Sequence, residues 1–195
     1  ARKGHSDAVR AILGDNRVQV NWTTNLCETA LFLACNHGQV GVVKALLEDA
    51  RVELNLSDHL YWTELMAAVV IRRLDIVEAL LEDPRVDVSM RDMSGGTVLM
   101  AAAEAGEVEI AKVLLQHGAE LNARRDDGQS AFLIASSRAS VTREEWEEGK
   151  ETYDEYSERY EALVEFLLAQ PGIDTSGRPA GYESSDYSSD DDSIW

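Results

Sequence analysis

The sequence is short of the residues that carry chemistry or mark a compartment. Its two cysteines, Cys27 and Cys35, lie eight apart, which matches no common zinc spacing, and no His or Cys pair completes a site. A reduced chain without a metal is therefore expected. No apolar run approaches the roughly 18 residues needed to cross a bilayer. No apolar stretch follows Arg2 and Lys3 to make a secretory leader. The expected setting is intracellular, cytoplasmic or nuclear. Basic residues are scarce too: 18 stand against 36 acidic ones, for a net charge of −18. Lys and Arg are the residues that neutralise phosphates, so neither a nucleic acid backbone nor an anionic membrane surface is an expected partner. Solubility alone accounts for such an excess of acid, and a basic protein partner is compatible with it.

The parts of a catalytic site are missing as well. No nucleophile has a base beside it among His5, His37, His59 and His117, and no Gly-rich loop is built to cradle a phosphate. The carboxylates are spread along solvated helix faces, whereas paired-carboxylate catalysis needs two that converge. No enzyme, cofactor or small-molecule substrate is expected.

What the chain does have is repetition. "VVKALLEDARVELN" (Val42 to Asn55) returns as "IVEALLEDPRVDVS" (Ile76 to Ser89), 34 residues on. Versions of it begin at Ala8, Ile110 and Leu163. The apolar pairs Ile12–Leu13, Leu46–Leu47, Leu80–Leu81 and Leu114–Leu115 keep that period, and Leu167–Leu168 arrives late. A second phrase precedes each: "TALFLA" from Thr29, "TELMAA" from Thr63, "TVLMAA" from Thr97 and "SAFLIA" from Ser130. A hydroxyl residue before small apolar helix formers marks a helix start, the side chain accepting from a free N–H for about 1 kcal/mol. Each unit thus reads as two short amphipathic helices and a loop. Neither helix buries its apolar face alone, but stacked units bury all of them in one seam.

This wording resembles the ankyrin repeat, whose pattern is roughly D-x-x-G-x-T-P-L-H-x-A-A-x-x-G followed by V-V-x-x-L-L. "DMSGGTVLMAAAEAGEVEIAKVLLQHGAELN" (Asp92 to Asn122) fits almost throughout. The resemblance implies an all-α solenoid of helix-turn-helix units with β-turn fingers, covering residues 1–176. A partial unit falls at 1–23, and units follow at about 24–56, 57–90, 91–122 and 123–176. The first opens in mid-unit, so either a longer parent with units upstream or an improvised cap is expected. Two departures stand out. The Pro after the capping hydroxyl gives way to Ala30, Glu64, Val98 and Ala131, and the His gives way to Phe32, Met66, Met100 and Leu133. In the family that His braces neighbouring loops. Apolar packing must replace it here, so modest stability is expected.

The last unit is interrupted. Ser130 to Leu167 spans 37 positions where Thr29 to Leu46 spans 17, so about 20 residues are inserted near 139–158. Thr142 with Glu145 reads as a capping box. One long helix over about 142–169 is expected, roughly 40 Å at 1.5 Å per residue. On it Trp146, Tyr153, Tyr160 and Leu167 sit seven apart, with Tyr156 and Leu163 between. Such a stripe packs onto the last units and caps the array, serves as a second partner surface through Trp146, Tyr153 and Tyr156, or belongs to a flexible loop. Residues 177–195, rich in Ser and Asp, read as a disordered acidic tail. Ser188 and Ser189 each have an acid three positions on, resembling acidophilic kinase sites. Ile194–Trp195 could anchor another protein or this chain's own groove.

The family binds proteins through its fingertips and the exposed side of the first helix. Laid onto this chain those positions are Asn25, Leu26, Glu28, Asn36 and His37; then His59, Leu60, Trp62, Val70 and Ile71; then Met93, Ser94, Gly96, Glu104 and Ala105; then Asp126, Asp127, Gln129, Ser137 and Arg138. The second finger, "DHLYW", carries Tyr61 in place of the turn Gly. Leu60, Trp62, Val70 and Ile71 are expected to form one apolar patch, unless Tyr61 and Trp62 fold back onto adjacent fingers. Glu104, Asp126 and Asp127 add negative charge beside it. A partner with an apolar anchor and basic flanks suits both features. Two other roles are open to the chain, an acidic chaperone or inhibitor of a basic client and the scaffold region of a larger protein.

Overall fold

The computed structural model describes residues 1–141, 143, 146 and 152–177. Nine helices lie among them: α1 Ser6–Leu13, α2 Ala30–Asn36, α3 Val40–Leu47, α4 Glu64–Val70, α5 Leu74–Leu81, α6 Val98–Ala105, α7 Val108–Gln116, α8 Ala131–Ala139 and α9 Tyr153–Leu168. They form two layers. The inner layer is α2, α4, α6 and α8, and the outer is α1, α3, α5, α7 and α9. Each helix packs on its neighbours in its own layer, and each inner helix packs on the outer helix that follows it. The described residues contain no strand, only one antiparallel bridge between Arg91 and Thr97 at the base of the third finger.

The hydroxyl caps position the inner helices. Thr29, Thr63, Thr97 and Ser130 accept from the backbone N–H of Phe32, Met66, Met100 and Leu133. The same four residues stand where the resembled pattern has His. Phe32, Met66 and Met100 are buried in the continuous apolar core, and Leu133 packs against it. Leu31, Leu99, Ile76, Leu80 and Leu114, from both layers, are fully buried in the same core.

Polar clips repeat along the stack. Asn21 donates to Arg51 O and accepts from the Glu53 N–H, both at 2.9 Å. Asn55 makes the same pair with Arg85 and Asp87, and Asn122 with Gly172 and Asp174. An Asp-x-Arg motif adds a second series. Asp49 grips Arg51 at 2.6 Å, and Arg51 reaches back to Leu13 O at 2.7 Å. Arg85, gripped by Asp83, reaches Leu47 O at 3.4 Å. Each arginine thereby satisfies a carbonyl at the end of the preceding outer helix, which has no partner within its own helix.

The turn between the two helices of a unit needs a left-handed residue. Gly4, Gly38 and Gly106 supply it, but Arg72 stands there in the second full unit with φ 60°. Its guanidinium pairs with Glu107 at the start of α7 in the next unit, which offsets the strain of that backbone.

The long helix is present but begins later than Thr142. It runs from Tyr153 to Leu168, and its capping box is Thr152 with Glu155. Thr152 is extended, at φ −78° and ψ 159°, so the helix cannot run back through it to Trp146. Thr142 and Glu145 lie outside the described residues. Tyr160, Leu163 and Leu167 are buried against the last units, and the Tyr160 hydroxyl donates to Glu104 O at 2.6 Å.

Glu64, in the position of the missing Pro, is buried with one carboxylate oxygen unpartnered among the described residues. Burial pushes its pKa up to about 7 from 4.5, despite the nearby backbone N–H groups of Asn55 and Leu56. The unfolded chain ionises this group near 4.5 and the folded chain near 7. Stability from Glu64 is therefore greatest below pH 4.5, falls as pH rises to 7 and is level above, by up to about 3 kcal/mol. The aspartates held low by Asp-x-Arg pairs titrate below this window. Urea unfolding should show wild-type stability declining from pH 5 to pH 8, and Glu64→Gln should flatten the decline.

Candidate functional site

Four fingers stand beside the inner helices, and the tips of the first three are built alike. The first polar residue folds its side chain over its own turn. Thr24 accepts from the N–H groups of Leu26 and Glu28, Asp58 from those of Leu60 and Trp62, and Asp92 from those of Ser94 and Gly96. A left-handed residue closes each tip: Cys27, Tyr61, Gly95 and Gly128. Only Gly adopts this conformation without a steric cost, so Cys27 and Tyr61 hold strained backbone, at φ 61° and 63°. The tips are tied in a row. The His59 N–H donates to Leu26 O, the Met93 N–H to Leu60 O and the Asp126 N–H to Ser94 O, at 3.0 to 3.3 Å.

The apolar surface gathers here. Leu26, Leu60, Tyr61, Val70 and Met93 are between 42% and 63% exposed. Only two other large hydrophobic residues among those described are as exposed, Ile12 and Trp22 in the partial unit that precedes the first full one. A small cleft, about 30 Å³, opens between the second and third units and is lined by Trp62, Val70, Met100, Glu104 and Arg125, among others. It joins the fingers to α4 and α6.

Several expected site residues sit elsewhere or play other parts. Trp62 is half-buried and packs against the core, while Tyr61 projects outward. Ile71 does not join Leu60. It caps the far end of α4, where its side chain lies beside Gly38, so the expected patch of four is reduced. His37 closes α2 at the same far end, with Nδ1 2.9 Å from Leu33 O. His59 lies at the second fingertip, exposed beside Leu26 O.

The acidic group is less charged than its sequence implies. Arg125 reaches Glu104 at 2.8 Å and Asp127 at 3.0 Å, so two of the three carboxylates share one cation. Asp126, exposed, has no cationic partner among the described residues. Arg125 was the residue missed. It stands next to Asp126 in "RRDDG", and an Arg two before an Asp is the signal that could have found it.

The aromatic residues of the insertion turn toward the protein. Tyr153 donates to Val141 O at 3.1 Å and Tyr156 to Arg138 O at 3.3 Å, while Trp146 meets the Tyr153 ring edge-on at 6.3 Å. Ser188, Ser189, Ile194 and Trp195 lie outside the described residues. No cluster of three or more possible metal ligands occurs among those described.

A family model for ankyrin repeats, in three copies, matches residues 1–92 and 65–143. The chain belongs to the ankyrin repeat family. Ankyrin repeats are generally protein–protein interaction modules and typically non-catalytic. No curated protein matches the chain. No helix among the described residues is long and apolar enough to cross a membrane.

The strained tips give a direct test. Tyr61→Gly should raise stability by about 0.5–1 kcal/mol, near 2 °C in Tm, because it relieves the left-handed backbone. Gly95→Ala should lower it by roughly 1–2 kcal/mol. Its Cβ would lie 2.9 Å from an Asp126 carboxylate oxygen on the next finger. Thermal unfolding followed by circular dichroism reads both.

Proposed function

We propose that the chain holds a partner protein on the face its fingertips and inner helices share. One observation carries this reading: exposed apolar side chains concentrate there, on Leu26, Leu60, Tyr61, Val70 and Met93. A solvated surface has no use for such a concentration, and exposed apolar patches mark contacts. Trp62, rooted in the core beside the cleft, gives the patch a rigid floor. Tyr61 supports the same reading, since a strained residue retained at an exposed tip points to use rather than stability. Asp126 and the Arg125-bridged pair set the electrostatic rim, which favours a partner with an apolar anchor and a basic flank.

A second reading is an acidic chaperone or inhibitor of a basic client, favoured by the net charge of −18. There the affinity comes from charge spread over the chain rather than from the patch. The two readings separate by salt, since exposed charge pairs are screened within about 10 Å at 0.1 M.

Against a partner isolated on the immobilised chain, Leu60→Ser with Val70→Ser should weaken binding at least about tenfold with folding unchanged. Wild-type affinity should fall only modestly from low salt to about 0.5 M. Unchanged binding by the double variant, with steep loss in salt, would support the acidic-client reading instead.

A further inference from the structure

The four fingertips are not equivalent, and the difference is ordered. At three matched positions the tips read Asn25-Leu26-Cys27, His59-Leu60-Tyr61, Met93-Ser94-Gly95 and Asp126-Asp127-Gly128. The first three present exposed apolar side chains, Leu26, Leu60, Tyr61 and Met93, and the fourth presents carboxylates. Because the tips are bonded in sequence through Leu26 O, Leu60 O and Ser94 O, they form one continuous row.

The charge along that row is also ordered. Asp58 and Asp92 turn their carboxylates inward onto their own finger's N–H groups. Glu28 accepts from the Thr24 hydroxyl at 3.0 Å and lies 3.9 Å from Arg2. Asp127 is held by Arg125. Asp126 alone offers an exposed carboxylate without a cation among the described residues, and it does so at one end of the row.

We propose that the fingertips read a single partner segment in a fixed order, with apolar side chains along fingers one to three and one Lys or Arg seated on Asp126 at finger four. The inference rests on the finger face being a protein-binding surface. It names the chemistry of the occupant: a short chain segment with apolar residues on one side of a lone cation. The chain's own C-terminal residues do not fit that description. From Glu183 to Trp195 they carry acids and no Lys or Arg, so a docked tail would leave Asp126 facing like charge.

A phage-displayed library of random short peptides, selected on the full chain, tests this without a known partner. The expected binders carry apolar residues and a Lys or Arg to one side of them. Asp126→Asn should weaken these peptides about fivefold. Asp126→Lys should shift selection toward Glu or Asp at the cationic position, an outcome that loss of folding would not give. A nitroxide attached beside the peptide's cation should broaden the amide NMR signals of Asp126 and Gly128 and spare that of Leu26. Binders indifferent to Asp126→Asn, or broadening centred on finger one, overturn the proposed order. If such binders are still lost with Leu60→Ser, the finger face remains the binding surface. If they are indifferent to that change as well, the reading of the face fails with the order.

Discussion

Stacking is the constraint on which this molecule depends. A unit of two helices of seven to nine residues is too short to be stable in water alone. Its apolar residues leave solvent only when the next unit covers them. Leu99, Ile76 and Leu114 are fully buried because their layers continue on both sides. At the start of the outer layer burial is lost, whereas α8 and α9 at the other end keep buried residues. In α1, which packs chiefly on α3, no residue is buried. Stability in such an array is a sum of unit and neighbour terms, so the polar clips matter. Asn21, Asn55 and Asn122 each bridge two backbone groups of the following unit's loop.

The same constraint frees the fingertips. The core fixes where each finger stands through its capping hydroxyl, and the tip then projects beyond the seam. Substitution at a tip costs only local strain, which is why Cys27 and Tyr61 are tolerated in a glycine conformation. Arg72 shows the contrasting case. It also takes a glycine place, but its side chain is spent on Glu107 of the next unit. Arg72 serves the stack and Tyr61 faces outward, and that contrast supports assigning Tyr61 to a partner.

Periodicity made the layers legible. Thr29, Thr63, Thr97 and Ser130 announce the inner helices, and the paired apolar residues the outer ones, because both signals are local and repeat. The start of α9 was misplaced for a local reason too. Thr142–Glu145 and Thr152–Glu155 offer the same capping pattern ten residues apart, and helix formers fill the interval. Tyr160 is buried at the end of α6, on Glu104 O, a contact across units that no local pattern states. The Asp-x-Arg motif is visible at Asp15, Asp49 and Asp83, but its use as a clip is not, since the carbonyls that Arg51 and Arg85 reach lie in the preceding unit. The site was legible in outline only. Leu60, Tyr61 and Met93 follow from fingertip position, whereas the turning of Ile71 toward Gly38 and the bridging by Arg125 depend on side-chain geometry across units.

The central claim is that partner contact occurs on the finger face and not on the outer helices. A photo-cross-linking amino acid placed at Met93, and separately at Lys44 on α3, tests it most directly. Irradiation with the chain's bound partner should give a discrete adduct from position 93 and none from position 44. An adduct from position 44 alone, or equal yields from both, would contradict the account.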